Sequence, residues 1–367
     1  MNSLQKNRAW IELDLSCLKN NIDILKNINN NIIAVVKANA YGHGIIEIAS
    51  YLNKIGITFF AVASLDEAIT LRKNNIKGNI LILGYTLKEN LKYVRKYNLI
   101  QTIVDYDYFN TIKDINFKIK AHIKINTGMN RIGENYQNIN NIINMYKNNN
   151  ICIKGIFTHL CVSDSDKISH KEFTEKQLDN FNYVLNALKE NNINIGITHA
   201  LNSYGIFNYQ KYKYDYIRCG ILMYGINNNN SYLSKNIDLK PILKLKARIS
   251  SIRTINKNDS VSYGNTFVAK KEMKIASVSI GYADGLPRIV SNNYFVYVNN
   301  KKANIIGTIC MDQLMIDITN INVNVGDEVI IINDNEHLNI LANNASTISY
   351  EILTNLHARL PRIIIRK

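Results

Sequence analysis

No stretch of the 367-residue chain is apolar for long enough to span a bilayer, and the opening MNSLQKNRAWIELDL lacks the apolar core of a secretory leader. A cytoplasmic protein is expected. Cysteine is sparse and unpatterned: Cys17, Cys152, Cys161, Cys219 and Cys310 are odd in number, with neither C-x-x-C pairing nor zinc-type spacing. Reduced thiols are expected, with no disulfide framework and no structural metal. Also absent is any basic block, although 44 Lys and Arg against 29 Asp and Glu give a formal charge of +15. Lysine and asparagine are instead spread along the whole chain, which argues against a nucleic-acid partner. A net positive field still helps to gather anionic ligands. Asparagine tracts at residues 148–150 and 227–230 read as solvated loops.

At this length a large domain plus a smaller one is expected. Eight short apolar runs can be counted, at Ile32–Lys37, Phe59–Ser64, Asn79–Gly84, Ile100–Val104, Ile119–Asn126, Ile153–His159, Ile195–Leu201 and Tyr214–Arg218. Between them lie amphipathic stretches such as Leu65–Lys73 and Phe173–Lys189. Eightfold strand–helix alternation predicts an α/β fold, an N-terminal (β/α)8 TIM-like barrel. Beyond Gly225 and an Asn-rich linker the pattern turns β-rich, at Leu245–Ile255, Lys274–Ile280, Tyr294–Val298, Ile305–Ile318 and Glu328–Ile332, with few helical patterns between. A barrel domain over residues 1–233 and a C-terminal mainly-β domain over residues 234–367 are expected. The strand around Trp10–Leu15 fits either part.

In such a barrel the site forms at the carboxyl ends of the strands. Lys37, Lys124, His159, Asn202 with Ser203, and Arg218 stand at or near the ends of five different runs. Lys37 follows the apolar run Ile32–Val36 and precedes a loop with two glycines, where partial burial lowers a lysine pKa and suits Schiff-base chemistry. Loops after the seventh and eighth strands commonly grip phosphate; here they are Asn202–Gly205 and Arg218–Ile221. A lysine that can hold an aldehyde and a phosphate grip on one rim point to a phosphorylated aldehyde.

The string AVVKANAYGHG at residues 34–44, with HIKINTGMNRIG at 122–133, GIFTH at 155–159, VSYG at 261–264, GYADG at 281–285 and CMDQ at 310–313, resembles the alanine racemase family over nearly the whole chain. The resemblance implies a homodimer with shared sites that interconverts L- and D-alanine with pyridoxal 5'-phosphate and supplies D-alanine for peptidoglycan. Lys37 would hold the cofactor and serve as one base, with Tyr263 the second base on the opposite face. Two bases are needed because the α-proton leaves one face and returns on the other. Arg218 would meet the pyridine nitrogen, His159 would link Tyr263 to Arg218, and Tyr41, Asn202, Ser203, Gly220, Ile221 and Tyr350 would bind the cofactor, mostly at its phosphate. Arg131, Met311, Asp312 and Tyr282 would bind or admit substrate. Lys124 stands where many members carry a carbamylated lysine that orients the neighbouring arginine, here Arg131. The chain departs from the family pattern at Asn126 and Asn130, where Asp and Gly are usual, and at Leu201 and Tyr204, where small residues are. Rival readings are a serine or broad-specificity racemase, a related decarboxylase, and a non-catalytic carrier of the cofactor.

Overall fold

The computed structural model describes residues 7–228, 231–234 and 237–366. Strand β1 (Ala9–Asp14) opens the chain, and the eight apolar runs then become the eight parallel strands of a barrel. These are β2 (Ile32–Val35), β3 (Phe59–Val62), β4 (Asn79–Ile82), β5 (Ile100–Ile103), β6 (Ile119–Asn126), β7 (Ile151–Phe157), β8 (Ile197–His199) and β9 (Ile217–Cys219). They pair in the order β9-β2-β3-β4-β5-β6-β7-β8. Main-chain bonds from Tyr216 N to Thr198 O (3.1 Å) and from Arg218 N to Leu201 O (3.0 Å) span the remaining gap between β8 and β9. Strands such as β2 and β3 are buried at every residue, as helices on one face and a filled interior on the other require.

The second sheet is built from β10 (Leu243–Ile255), β11 (Met273–Val278), β12 (Phe295–Val298), β13 (Lys301–Asn304), β14 (Leu314–Asp317), β15 (Glu328–Ile332) and β16 (Arg362–Arg366). Its order is β13-β12-β15-β10-β1-β16, with β11 joining the far half of β10 to β14. The first strand therefore belongs to the second sheet, antiparallel to β10 and parallel to β16.

Two expectations need correction. The run Ile305–Ile318 is strand only over Leu314–Asp317, apart from a bridge at Ile305. Gly307 in the left-handed region and a turn from Cys310 N to Gln313 O (2.8 Å) break it into a loop. The domain is mainly β, as expected, and helices Asn335–Asn344 and Ser349–Thr354 follow β15. Asp334 caps the first of them, and Leu338, Leu341 and Ala342 supply its buried face. Finally, Asn227 and Asn228 are half-buried and tied into the fold rather than forming a solvated loop. The Asn227 carbonyl accepts from the side chains of Asn335 (2.8 Å) and Asn339 (2.9 Å), and Asn228 N donates to the Tyr204 hydroxyl (3.3 Å). Asn229 and Asn230 lie outside the described residues.

One tie locks the second sheet to the barrel beside its mouth, and another knits the second sheet's own loops together. Gly42 (φ 79°) passes so close to the helix Ser349–Thr354 that a Cβ would lie 1.9 Å from the Leu353 carbonyl oxygen. Arg362 donates to the carbonyls of Gly42 (2.9 Å), Leu356 (3.0 Å), His357 (2.8 Å) and Leu360 (2.6 Å). The second tie is buried Asp284, which accepts from Arg8 (2.7 Å), Arg359 (2.7 Å) and the Gly281 amide (2.9 Å), while Arg359 also reaches Asp312 (2.8 Å).

Burial pushes the Asp284 pKa up, but the hydrogen bonds from Arg8, Arg359 and Gly281 outweigh it, so the carboxyl lies below its ordinary value. Such a group adds stability above its unfolded pKa near 4, and that share is lost as pH falls through the lower folded value. Asp284→Asn should cost roughly 2–3 kcal/mol at neutral pH. It should also flatten the loss of urea stability below about pH 4. An unchanged acid limb would show that Asp284 is not a main source of the acid sensitivity.

Candidate functional site

At the carboxyl ends of the barrel strands a cavity of about 390 Å³ gathers Lys37, Tyr41, Lys124, Arg131, His159, Asn202, Ser203, Arg218, Gly220, Ile221 and Tyr350. These are all of the barrel candidates, with Tyr350 arriving from the second sheet's helix Ser349–Thr354. Among the described residues no Asp or Glu lines it. An uncompensated basic cavity of this kind selects anions.

Lys37 stands two residues beyond the last residue of β2, and the chain then reverses hand. Ala38, Asn39, Ala40 and Tyr41 all have φ between 51° and 54°, a left-handed helical turn where the sequence suggested a loop. Each such non-glycine residue costs about 1–2 kcal/mol. Local bonds hold it: Ala40 N to Val36 O (2.9 Å), Gly42 N to Ala38 O (3.0 Å) and Ile45 N to the Asn39 side chain (2.8 Å). The turn aims Tyr41 back into the cavity beside Lys37. Burial pulls the Lys37 pKa down, helped by Arg131 and Arg218 and opposed by Glu67. The amine is thus more available as a nucleophile and base than a surface lysine.

Arg218 extends from the middle of β9 into the barrel and is buried. Its guanidinium donates to His199 Nδ1 (2.8 Å), His159 Nδ1 (3.1 Å) and the carbonyls of Thr158 (2.7 Å), His199 (3.0 Å) and Ala200 (3.1 Å). All five acceptors are neutral, so burial lowers its pKa to about 9. Because a guanidinium only donates, both histidines must accept at Nδ1 and carry their proton on Nε2. Burial, then Arg218, holds both well below the ordinary histidine pKa, in keeping with neutral rings. His199 Nε2 lies 3.0 Å from His122 Nδ1, which continues the chain of rings into the barrel. Gly155 makes room for His122, since a Cβ there would stand 2.9 Å from the ring. His199 and His122 were missed as site residues; both sit inside predicted runs, and a histidine at an apolar strand position was the available signal.

Lys124 is 3% exposed, its amine donating to the Ile125 carbonyl (3.1 Å) and lying over the Phe157 ring. Burial, with Arg218 and Arg131, drives its pKa well below the lysine range. No carboxylate pairs with it among the described residues. Nearby, Asn130 takes the left-handed conformation (φ 54°) and accepts from the Asn126 amide (2.9 Å). This pair shapes the loop that carries Arg131.

At the other end, Ser203 Oγ accepts from Gly220 N (2.9 Å), leaving its own proton to donate. The rings of Tyr41 and Tyr350 stand 6.0 Å apart. Gly220 is required there, because a Cβ would fall 2.6 Å from the Tyr41 hydroxyl. The Asn202 side chain lines the cavity but is engaged locally: it accepts from Gly205 N (2.9 Å) and donates to the Leu160 carbonyl (3.1 Å).

Tyr263, Tyr282, Met311 and Asp312 are elsewhere, outside the lining of that cavity. Their loops are knitted into one exposed face of the second sheet by Thr308 Oγ1 to Tyr263 O (2.8 Å), Tyr282 N to Cys310 O (3.0 Å) and Ala283 N to Met311 O (3.0 Å). Tyr263 is 71% exposed. The Asp312 carboxylate is held by Arg359. A single chain therefore does not assemble all of the residues expected at the site.

The N-terminal domain model of the alanine racemase family matches residues 13–228, and its C-terminal domain model matches residues 242–364. An amino-acid racemase of Enterococcus faecalis is 39% identical over 96% of this chain, which spans about half (51%) of that protein's length. The alanine racemase of Halothermothrix orenii is 38% identical over 99% of this chain and 98% of its own. Among solved structures, alanine racemase of Clostridium difficile 630 superposes with a TM-score of 0.93 at 33% identity, covering 99% of this chain and 97% of that one. That of Bartonella henselae, with covalently bound pyridoxal phosphate, gives 0.86 at 30% identity, over 98% and 100% of the two chains. With the barrel, the half-buried lysine at its mouth and family models matching both parts, the chain belongs to the alanine racemase family, isomerases that interconvert L- and D-alanine.

Proposed function

We propose that this chain racemises alanine in the cytoplasm as a two-base enzyme, with pyridoxal 5'-phosphate on Lys37 and sites shared across a homodimer, and so supplies D-alanine for the cell wall. Arg218 carries the reading: a buried guanidinium with neutral acceptors only, in the same cavity as a lysine amine of lowered pKa. The residues suit that cofactor. Tyr41, Ser203 and Tyr350 offer hydroxyls at one end, Gly220 leaves the space, and Arg218 would meet the ring nitrogen. When bound, the cofactor withdraws electron density from the α-carbon of an amino acid joined to it, which makes the α-proton acidic.

The rest falls to the chain. The Lys37 amine moves the α-proton on one face. Arg218 stays a donor and does not give up a proton to the ring nitrogen, which moderates the electron sink and disfavours transamination. His159, accepting from Arg218 at Nδ1, presents Nε2–H outward. That proton is placed to stabilise the phenolate of Tyr263 of the partner subunit, whose ring would work on the opposite face. An exposed Tyr263 and a cavity without it favour this shared arrangement over one within a single chain. Arg131 and the Met311 backbone of the partner subunit would take the substrate carboxylate, with Tyr282 narrowing the entrance. Asp312, tied to Arg359, would hold that loop in place. The neutral amine of Lys124 can add carbon dioxide, and the resulting carbamate would orient Arg131. A wider amino-acid range is the second reading, favoured by the Enterococcus faecalis relatives named for it; rates on alanine and serine side by side decide between them.

After loading with pyridoxal phosphate and reduction with borohydride, peptide mapping should find the adduct on Lys37; an adduct on another lysine overturns the assignment. Gly220→Ala should weaken retention of the cofactor by roughly tenfold or more in equilibrium dialysis, because the methyl displaces the Tyr41 hydroxyl. Retention of pyridoxal, which lacks the phosphate, should change far less. Co-refolding inactive Lys37→Ala with inactive Tyr263→Phe should restore roughly a quarter of wild-type activity, since about half the dimers are mixed and each has one complete site of two. Background activity at every mixing ratio would place both bases in one chain.

A further inference from the structure

We propose that Glu67 is a positioning residue for Lys37: its carboxylate joins the chain just beyond β2 to the chain just beyond β3 and anchors the left-handed turn that follows Lys37. One oxygen, Oε2, accepts from Ala63 N (2.7 Å) and Ser64 N (3.4 Å), while Ser64 Oγ accepts from Glu67 N (3.3 Å). That reciprocal pair is an ordinary capping box for the helix Leu65–Lys73 and needs no further partner. The other oxygen, Oε1, accepts from Ala38 N at 2.6 Å, across 29 residues of sequence.

The position of that amide gives the bond its purpose. Ala38 is the first of the four left-handed residues, immediately after Lys37. Its N–H points away from the turn it opens, and the Glu67 carboxylate meets it. A charged acceptor bonds such a donor more strongly than a neutral one. The same carboxylate acts on the Lys37 amine and favours the ammonium. Arg131 and Arg218 face the amine with the opposite influence, and Lys37 is itself among the charges acting on His159. Glu67 thus fixes where the amine stands and limits how far its basicity falls. This rests on Lys37 being the reactive lysine, but the test below uses the protein without cofactor.

The test is competitive acetylation of Lys37 against pH in cofactor-free wild type, Glu67→Gln and Glu67→Ala, with hydrogen exchange over residues 38–41. Glu67→Gln keeps an acceptor and removes the charge. Its labelling midpoint should move to lower pH, and labelling below that midpoint should rise roughly three- to tenfold, the range for a partly screened pair. Glu67→Ala should add faster exchange in the turn, and Glu67→Asp, too short to span both sites, should resemble it. Profiles and exchange equal to wild type, or a lowered melting temperature with both unchanged, would show that Glu67 serves only its own helix cap and overturn the proposal. Borohydride trapping on a lysine other than Lys37 in wild type would instead defeat the functional reading and leave the labelling result standing on its own.

Discussion

A single buried cation without a counter-ion organises the mouth of this barrel. Taking a guanidinium out of water costs several kcal/mol unless its donors are matched. Arg218 matches them with two imidazoles and three main-chain carbonyls, all neutral. That solution dictates much around it. The carbonyls come from the ends of neighbouring strands, so the barrel must close tightly at β8 and β9. The imidazoles must stay unprotonated, which the same burial and the same positive charge ensure. With no carboxylate nearby, the charge remains available to whatever enters the cavity.

Because Arg218 is shielded by ring and carbonyl acceptors, the surrounding basic groups keep a common sign. Burial first, and then Arg131 and Arg218, make the amines of Lys37 and Lys124 less basic than a lysine in water. Reactivity here comes from taking these amines out of water into a cavity lined by no carboxylate among the described residues. Glu67 stands just outside and moderates the effect at Lys37 alone.

Much of this was legible in the sequence where burial and period coincide. Each of the eight barrel strands overlaps one of the apolar runs, with the sixth starting two residues early and the eighth ending one residue late, since a strand covered on both faces must be largely apolar. Every barrel residue proposed for the site lines one cavity. What could not be read depended on tertiary context. A left-handed turn built from Ala38, Asn39, Ala40 and Tyr41 carries no glycine signature until Gly42. Asn227 and Asn228 looked like solvated loop because their partners, Asn335, Asn339 and Tyr204, are distant in sequence. The helices after β15 were obscured by polar residues that cap and exposed faces that carry no period. His199 passed as part of a strand because its role is set by Arg218, nineteen residues on.

The placement of β1 bears on how the chain matures as it leaves the ribosome. Its two neighbours, β10 and β16, lie at residues 243–255 and 362–366. During synthesis the strand Ala9–Asp14 must wait, with both edges bare, while the entire barrel is made. An apolar unpaired strand is a template for pairing with the wrong chain. Once the barrel is made, the helix Leu15–Lys26, joined to it without a linker, can moor it by docking against the segment Ile221–Tyr224 until the second sheet follows. The strand is thus made long before its partners and is among the last to be secured, and the fate of newly made protein turns on how well it is chaperoned by its own neighbour in the interval.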